Sequence, residues 1–273
     1  SIGDYRRALD YYGRALGIQR SLRDLRGAAV TFNNVGAAYE NLGEYDQALT
    51  FFEEALVLHR SLSNREGIGQ TLSNIGTVYS QQGQYSEALE YYQQALARRR
   101  ETRDRQGEGI TLNNIGAVHD GLGQYSQALD TYQQALYIFQ ALGNQAQQGL
   151  ALNNMGAVYA QQGDYEQALT YYREALAVYQ SISDQRGAAT SINNIGSVYS
   201  KLGQYEKALS YYQDALAIYE FIGDREGFST TLNNIGLIFG RLGQYDRALR
   251  YYRDSLPIFQ ELGDRAGEGV ALH

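Results

Sequence analysis

The sequence predicts an all-α chain, a right-handed superhelical solenoid of antiparallel helix pairs. Three observations carry that expectation. Residues recur at a fixed interval of 40, apolar positions within each interval follow a helical spacing, and glycine occupies fixed slots rather than being scattered. Without that register the composition contradicts itself. The 273 residues include 30 Gly and 25 Tyr but a single Pro. That is too many glycines for ordinary helices and too few prolines for a loop-rich chain.

The period is visible in several columns. Gly36, Gly76, Gly116, Gly156, Gly196 and Gly236 fall 40 apart, as do the tyrosines from Tyr5 to Tyr245 and the alanines from Ala8 to Ala248. No insertion disturbs the register. The chain parses as one array over 1–273, with a second helix of a cut repeat at 1–23. Six whole repeats follow at 24–63, 64–103, 104–143, 144–183, 184–223 and 224–263, then the start of a further first helix at 264–273.

Each repeat reads as two helices. Asp24, Asn64, Asp104, Asn144, Asp184, Asp224 and Asp264 stand where the first helix needs an N-cap. Phe32, Val35, Gly36 and Tyr39 then follow an i, i+3, i+4, i+7 stripe. Gly43 and its equivalents separate the helices, at a point that favours αL geometry. Tyr45, Ala48, Leu49, Phe52, Ala55, Leu56 and His59 continue the stripe in the second helix. Aromatic doublets such as Tyr11/Tyr12 and Tyr91/Tyr92 should place one ring in the core and one nearer the surface. Tyr137, Tyr179 and Tyr219 lie outside the recurring columns and are expected to pack between repeats. Pro257 should kink or shorten its helix. One repeat cannot bury its apolar faces alone, so each needs neighbours on both sides.

The spacing of Phe32, Val35, Gly36, Tyr39, Ala48, Phe52 and Ala55, and the run from Leu152 to Leu169, resemble the tetratricopeptide repeat (TPR) in its long, 40-residue form. The sequence is similar to kinesin light chains, Pins-type polarity adaptors and bacterial TPR arrays joined to caspase-like CHAT domains. It departs from the motif in two ways. The opening aromatic is Phe32, Leu72, Leu112, Leu152, Ile192 or Leu232, never Trp. The helix-ending Pro of short repeats is replaced by Arg60, Arg100, Gln140, Gln180, Glu220 and Gln260. The second helix is therefore expected to run on by about a turn and a half.

The resemblance implies a protein-interaction scaffold whose first helices line a concave groove. Asn34, Asn74, Asn114, Asn154, Asn194 and Asn234 recur in every repeat, preceded by Asn33, Asn113, Asn153, Asn193 and Asn233, with Ser73 in the remaining place. Asn is a poor helix former, so two per helix need a reason. By helical projection the Asn34 column points away from the core stripe with Val30, Ala37 and Asn41, and the Asn33 column lies on the flank. An amide carries donors and an acceptor, so a ladder of them can bond an extended peptide backbone. The resembled adaptors and kinesin light chains use groove asparagines in that manner. The alternative is that these asparagines set repeat stacking.

Val30, Gln70, Ile110, Leu150, Thr190 and Thr230 stand where other members of this family carry Lys and Arg to clamp a terminal carboxylate. A partner of neutral or mixed charge is expected. Arg98, Arg99, Arg100, Arg103 and Arg105 form the one basic cluster. Arg98, Arg99, Arg100 and Arg103 are the candidate contacts for an acidic partner, with a solvated helix end as the plainer reading.

Other classes find little support. The net charge of −7 argues against nucleic-acid binding. No apolar run approaches the ~18 residues of a membrane span. Cys is absent, which removes thiolate chemistry and disulfides. The three histidines fall in no metal or catalytic motif, and HExxH, GxSxG and the P-loop are missing. His119 stands in the Tyr39 column, where packing explains it. No cofactor, no metal and no enzymatic activity are expected, and a cytoplasmic location is. Two alternatives to the groove scaffold remain: end-to-end self-assembly through exposed apolar ends, and a regulatory segment of a larger effector such as a CHAT-type protease. The cut ends favour a fragment of a longer protein, with His273 a candidate tag residue. Scatter at outward positions such as Glu53, Gln93 and Arg173 favours natural duplication over consensus design.

Overall fold

A computed structural model describes the backbone of residues 2–272, and the side chains within it other than those of residues 2, 3, 266 and 270–272. His273, the candidate tag residue, lies outside the described residues. Among the described residues there are fourteen helices and no strand. They are α1 (Ile2–Leu22), α2 (Leu25–Asn41), α3 (Tyr45–Ser61), α4 (Arg65–Gln81), α5 (Tyr85–Glu101), α6 (Arg105–Gly121) and α7 (Tyr125–Leu142). There follow α8 (Gln145–Gln162), α9 (Tyr165–Ser181), α10 (Gln185–Lys201), α11 (Tyr205–Ile222), α12 (Arg225–Arg241), α13 (Tyr245–Leu262) and α14 (Arg265–Leu272). The chain forms two compact units, Ser1–Ile138 and Phe139–His273.

Within each unit, helices pair in chain order and each pair packs on the next. In the first unit α2 packs on α3 and α4 on α5, with α3 against α4. In the second, α8 pairs with α9, α10 with α11 and α12 with α13. Phe52, Leu56, Leu72, Ile75 and Val78 form one core cluster of the first unit, and Tyr212, Ile235, Ile238, Phe239 and Ala248 one of the second. The mid-helix glycine is what lets a pair close. A Cβ on Gly36 would stand 2.7 Å from the Phe52 ring, and one on Gly196 would stand 2.8 Å from Tyr212. The lost helix propensity is offset by that approach.

The doublets divide as their spacing predicts. Tyr92 is buried, while Tyr91 stacks on Tyr79 at 5.3 Å between ring centroids. The same stacked pair recurs as Tyr39–Phe51, Tyr159–Tyr171 and Tyr199–Tyr211. The N-caps fall where they were placed: Asp24, Asn64, Asp104, Asn144, Asp184 and Asp224 each accept the backbone N–H three residues on.

One expectation fails, at Tyr137. Of the kink or shortening expected at Pro257, the shortening does not occur, and α13 runs through it to Leu262. Pro257 lies on an exposed face, and so does Arg253, whose carbonyl the missing N–H leaves unpaired, so water can satisfy that carbonyl. Tyr137 does not pack between repeats; it is 67% exposed, because its column otherwise holds Val57, Ala97, Ala177 and Ala217 on the outward face of the second helix. Tyr179 and Tyr219 are buried as expected.

Candidate functional site

The two asparagine columns have different surroundings. Asn33, Asn113, Asn153 and Asn233 are buried and Asn193 is half-buried. Several of them tie one repeat to the next through a hydroxyl 38 residues on. Asn33 donates from Nδ2 to Thr71 Oγ1 at 2.9 Å, Ser191 donates to Asn153 Oδ1 at 3.1 Å, and Thr231 donates to Asn193 Oδ1 at 3.2 Å. Ser73, the exception by sequence, keeps the same link with Thr111 at 3.2 Å. This is the stacking role that the sequence left open for the column.

The Asn34 column stays at the surface. Asn34 is exposed, and Asn74, Asn114, Asn154, Asn194 and Asn234 are half-buried. Asn234 also donates to Asn193 Oδ1 at 3.2 Å, and Asn114 bonds the Tyr92 hydroxyl. Val30, Gln70, Leu150 and Thr230 are exposed on the same helices.

The basic cluster is largely neutralised from within. Arg98 pairs with Glu101 at 2.8 Å, Arg99 with Asp104, and Arg100 with Glu108 at 2.9 Å, while Arg105 pairs with the same Glu108. Glu108 is buried, so its two arginines supply the charge that its burial requires. The exposed Arg98–Glu101 pair contributes little to stability. Arg103 is exposed in the turn before α6, at φ +57°.

Arg99 belongs to a feature of another kind. In the column running from His59 through Arg99, Phe139, Tyr179 and Tyr219 to Phe259, every member except Phe139 faces the glycine that opens the following first helix; Gln147 stands at that place after Phe139. In the second unit an aromatic ring fills this slot: a Cβ on Gly187 would meet the Tyr179 ring at 2.4 Å, and one on Gly227 the Tyr219 ring at 2.3 Å. In the first unit His59 and Arg99 stand there, and a polar cavity of about 570 Å³ opens, lined by Asn33, Asn34, His59, Gln70, Arg99 and Arg103 among others. Asn33 Oδ1 and Arg99 Nε are shut off from water and have no hydrogen-bond partner. The sequence shows the break in the column at Arg99, but not that the break turns inward.

His59 is 2% exposed. Its Nδ1 lies 3.1 Å from Asn64 Nδ2 and its Nε2 lies 3.4 Å from Asn33 Nδ2. Burial pushes its pKa below the ordinary 6.5. Both ring nitrogens face amide nitrogens, so a second ring proton would meet no acceptor. In the second unit, burial pushes Tyr179 up to about 12, and its hydroxyl bonds Asn153, the counterpart of Asn33. His119 is half-buried, with Nδ1 at 2.6 Å from Gln124 Oε1.

Among the described residues no group of acidic, His or Cys side chains could hold a metal ion. None of the described helices is long and apolar enough to cross a membrane.

The tetratricopeptide-repeat family model matches the chain in overlapping windows at 27–101, 67–141, 107–181, 147–221 and 187–261. The chain belongs to the tetratricopeptide repeat family. No curated protein matches this TPR chain by sequence. Solved structures share its fold. BtubC (BKLC) from P. vanneervenii is 22% identical with a TM-score of 0.69, over 80% of this chain and 92% of that one. A Rap protein complexed with Competence and Sporulation Factor is 17% identical with a TM-score of 0.68, over 90% and 73%. A putative kinesin light chain from Podospora anserina, with nearly identical TPR-like repeats, is 15% identical with a TM-score of 0.58, over 71% and 95%.

Proposed function

We propose that this TPR chain is a non-catalytic protein-interaction scaffold that receives an extended segment of a partner along a first-helix face, that of α2, α4 and α6 in the first unit or that of α8, α10 and α12 in the second. One observation carries the reading. The Asn34 column stays at the surface while the neighbouring Asn33 column is buried, several of its members in repeat-to-repeat bonds. Amides recurring once per repeat on successive first helices offer a donor and an acceptor at a regular spacing, which suits a peptide backbone of varied sequence. The internal pairing of the arginine cluster favours a partner of neutral or mixed charge over an acidic one. The structurally similar Rap protein is complexed with Competence and Sporulation Factor, which supports a partner-binding reading.

The test is replacement of Asn34, Asn74 and Asn114 together by Ala, with affinity measured for a verified partner by calorimetry. A loss of roughly tenfold or more is expected, since a hydrogen bond to a bound segment is worth about 1 kcal/mol. Unchanged affinity, with unfolding unaltered, would sink the reading.

A further inference from the structure

A groove opens between α9 and α11 in the second unit. Both helices pack on α10 but not on each other, so α10 forms its floor. The groove holds a cavity of about 510 Å³, lined by Ala188 and Ile192 of α10, by Ala217, Ile218 and Phe221 of α11, and by Asp184 among its polar residues. Two side chains set it apart from its counterparts. Ala188 stands where the next repeat has Phe228, and the corresponding cavity there is about 280 Å³. Phe221 stands where other repeats have Ser61, Glu101, Ala141, Ser181 and Glu261, and it is 80% exposed. A large ring left in water at the rim of an apolar groove marks an interaction surface. Asp184 adds a charge. It is half-buried and caps α10 by accepting the Gly187 N–H at 3.0 Å. The equivalent caps have cations as well: Asp104 pairs with Arg99, and Asp224 with Arg186. For Asp184 both sources are missing, since Tyr179 stands in the place of Arg99 and Ala146 in the place of Arg186.

We propose that this groove docks a helix of a partner protein, which seats one large apolar side chain against Ala188, Ala217 and Ile218 beside Phe221 and sets a Lys or Arg against Asp184. Two helices that stand apart over a third offer the parallel ridges between which a further helix packs. A half-buried carboxylate is screened less than an exposed one, so a cation brought to it forms a strong, charge-assisted bond. The surroundings favour the same sign. Arg173 and Lys207 are the only cations of α9 and α11, and they are bonded to Tyr199 and Gln204, whereas Glu174, Asp214 and Glu220 are exposed. That acidity disfavours a second copy of this chain, whose net charge is −7. A small molecule would fill the cavity but leave the outer side of Phe221 in water, which a helix covers. The groove lies between second helices, so the proposal does not depend on the first-helix face of the scaffold reading.

The probe is a helical peptide of about 16 residues, built on Ala and Gln, that carries Leu and Arg one turn apart. One control replaces its Leu by Ala and another its Arg by Glu. Each is titrated into the full chain while the methyl resonances of Ala217 and Ile218 are followed by NMR. Saturable shifts are expected with the Leu/Arg peptide, none with the Ala control, and binding on the order of tenfold weaker with the Glu control. The variants come from the protein's own columns, so the repeat accommodates them. Ala188→Phe copies Phe228 and fills the cavity, Phe221→Ser copies Ser181, and Asp184→Asn copies Asn144 and keeps the cap. The first two should abolish the shifts. Asp184→Asn should weaken the Leu/Arg peptide by about tenfold and leave the Glu control no weaker than before. Thermal unfolding of each variant should stay close to that of the parent. The proposal is overturned if the Leu/Arg peptide gives no saturable shift, if the Glu control binds equally well, or if binding survives both Ala188→Phe and Phe221→Ser. Phenethylamine binding as tightly as the peptide would give the groove to a small cation, and a dimer dispersed by Phe221→Ser would give it to a second copy; either also overturns it. Loss of partner binding in the Asn34-column variant with these shifts intact would concern the scaffold reading alone.

Discussion

In residues 1–138 the slot above the first-helix glycine holds Gln19, His59 and Arg99; in residues 139–273 it holds Tyr179, Tyr219 and Phe259. The backbone is the same in both, down to a glycine at Gly67, Gly107, Gly187, Gly227 and Gly267. The rings close the slot with apolar surface and, at Tyr179, a hydroxyl that reaches Asn153. The imidazole and guanidinium leave polar volume and unpartnered atoms. A repeat can therefore exchange stability for recognition by changing one residue in a column, provided the glycine beneath leaves room for either kind of side chain.

Removing a side chain from each version measures that difference most directly. Tyr219→Ala should lower the stability of the second unit by about 3–5 kcal/mol, as for other large buried rings. It also takes a partner from Thr190, whose hydroxyl lies 3.1 Å from the Tyr219 oxygen. His59→Ala should cost less, about 1–2 kcal/mol, because the smaller and more polar ring gives up less apolar burial. Hydrogen exchange of the amides in α11–α12 and in α3–α4 reads the two units separately, which a single unfolding midpoint would not. Equal losses would remove the distinction between filled and open slots.

Converting one version into the other comes next. His59→Tyr should place a hydroxyl beside Asn33, as Tyr179 stands beside Asn153; there the amide donates to the phenol oxygen, whereas at Asn33 the hydroxyl can turn its O–H toward the unpartnered Oδ1. A gain of about 1–2 kcal/mol in the first unit is expected from satisfying a buried acceptor. Tyr179→His should cost at least as much in the second. Chemical denaturation with exchange readout checks both signs, and a destabilised His59→Tyr would show that Gly67 does not make room for the larger ring.

The comparison also predicts a pH response confined to one unit. Asn33 from α2, Asn64 and Glu66 at the start of α4, and Arg99 and Asp104 from the next repeat line the His59 cavity. Burial holds the folded pKa of His59 below the ordinary 6.5. Above pH 6.5 the ring is neutral in both states and stability is unaffected. As pH falls below 6.5 the unfolded chain takes a proton before the folded one, so stability declines until the lowered folded pKa is passed and then levels off. Tyr179 stays protonated up to about 12 and gives the second unit no such response near neutrality. Stability measured at a series of pH values for the parent and for His59→Phe should differ in slope only below pH 6.5. Parallel curves would mean that His59 is not held neutral.

Much of the fold was legible because each repeat states it again. Caps at Asp24 and Asn64, the close-packed Gly36 and the turn at Gly43 depend on local geometry, and local geometry is what spacing encodes. Pro257 does not end its helix because its effect depends on whether a freed carbonyl meets water, and that is a matter of exposure. The site was less legible. Helical projection separated the Asn34 column from its neighbour, but it could not show that Asn33 reaches Thr71 in the next repeat. Arg99 was visible as one member of a basic run. Its inward position depends on Gly69 of the same repeat and Gly107 of the next lying against it, contacts made between helices.

A smaller contrast lies in the turns between repeats. The first unit places non-glycine residues at positive φ there, Arg23 at 53°, Ser63 at 52° and Arg103 at 57°. The second uses Gly143, Gly223 and Gly263, with Ser183 the exception. An L-residue in that region is strained by about 1–2 kcal/mol. Replacing it by Gly relieves the strain but loosens the unfolded chain by about 0.4–1 kcal/mol. The two effects oppose each other, and Ser63→Gly should stabilise the first unit by about 0.5 kcal/mol. Gly223→Ser should destabilise the second by a similar amount. Ser63 is exposed, and its backbone N–H donates to the Arg60 carbonyl at 3.1 Å, a bond that Gly can keep. Exchange-monitored unfolding of the two variants should therefore show opposite signs. If Ser63→Gly is neutral, turn strain does not distinguish the units and the contrast rests on the His59 column alone.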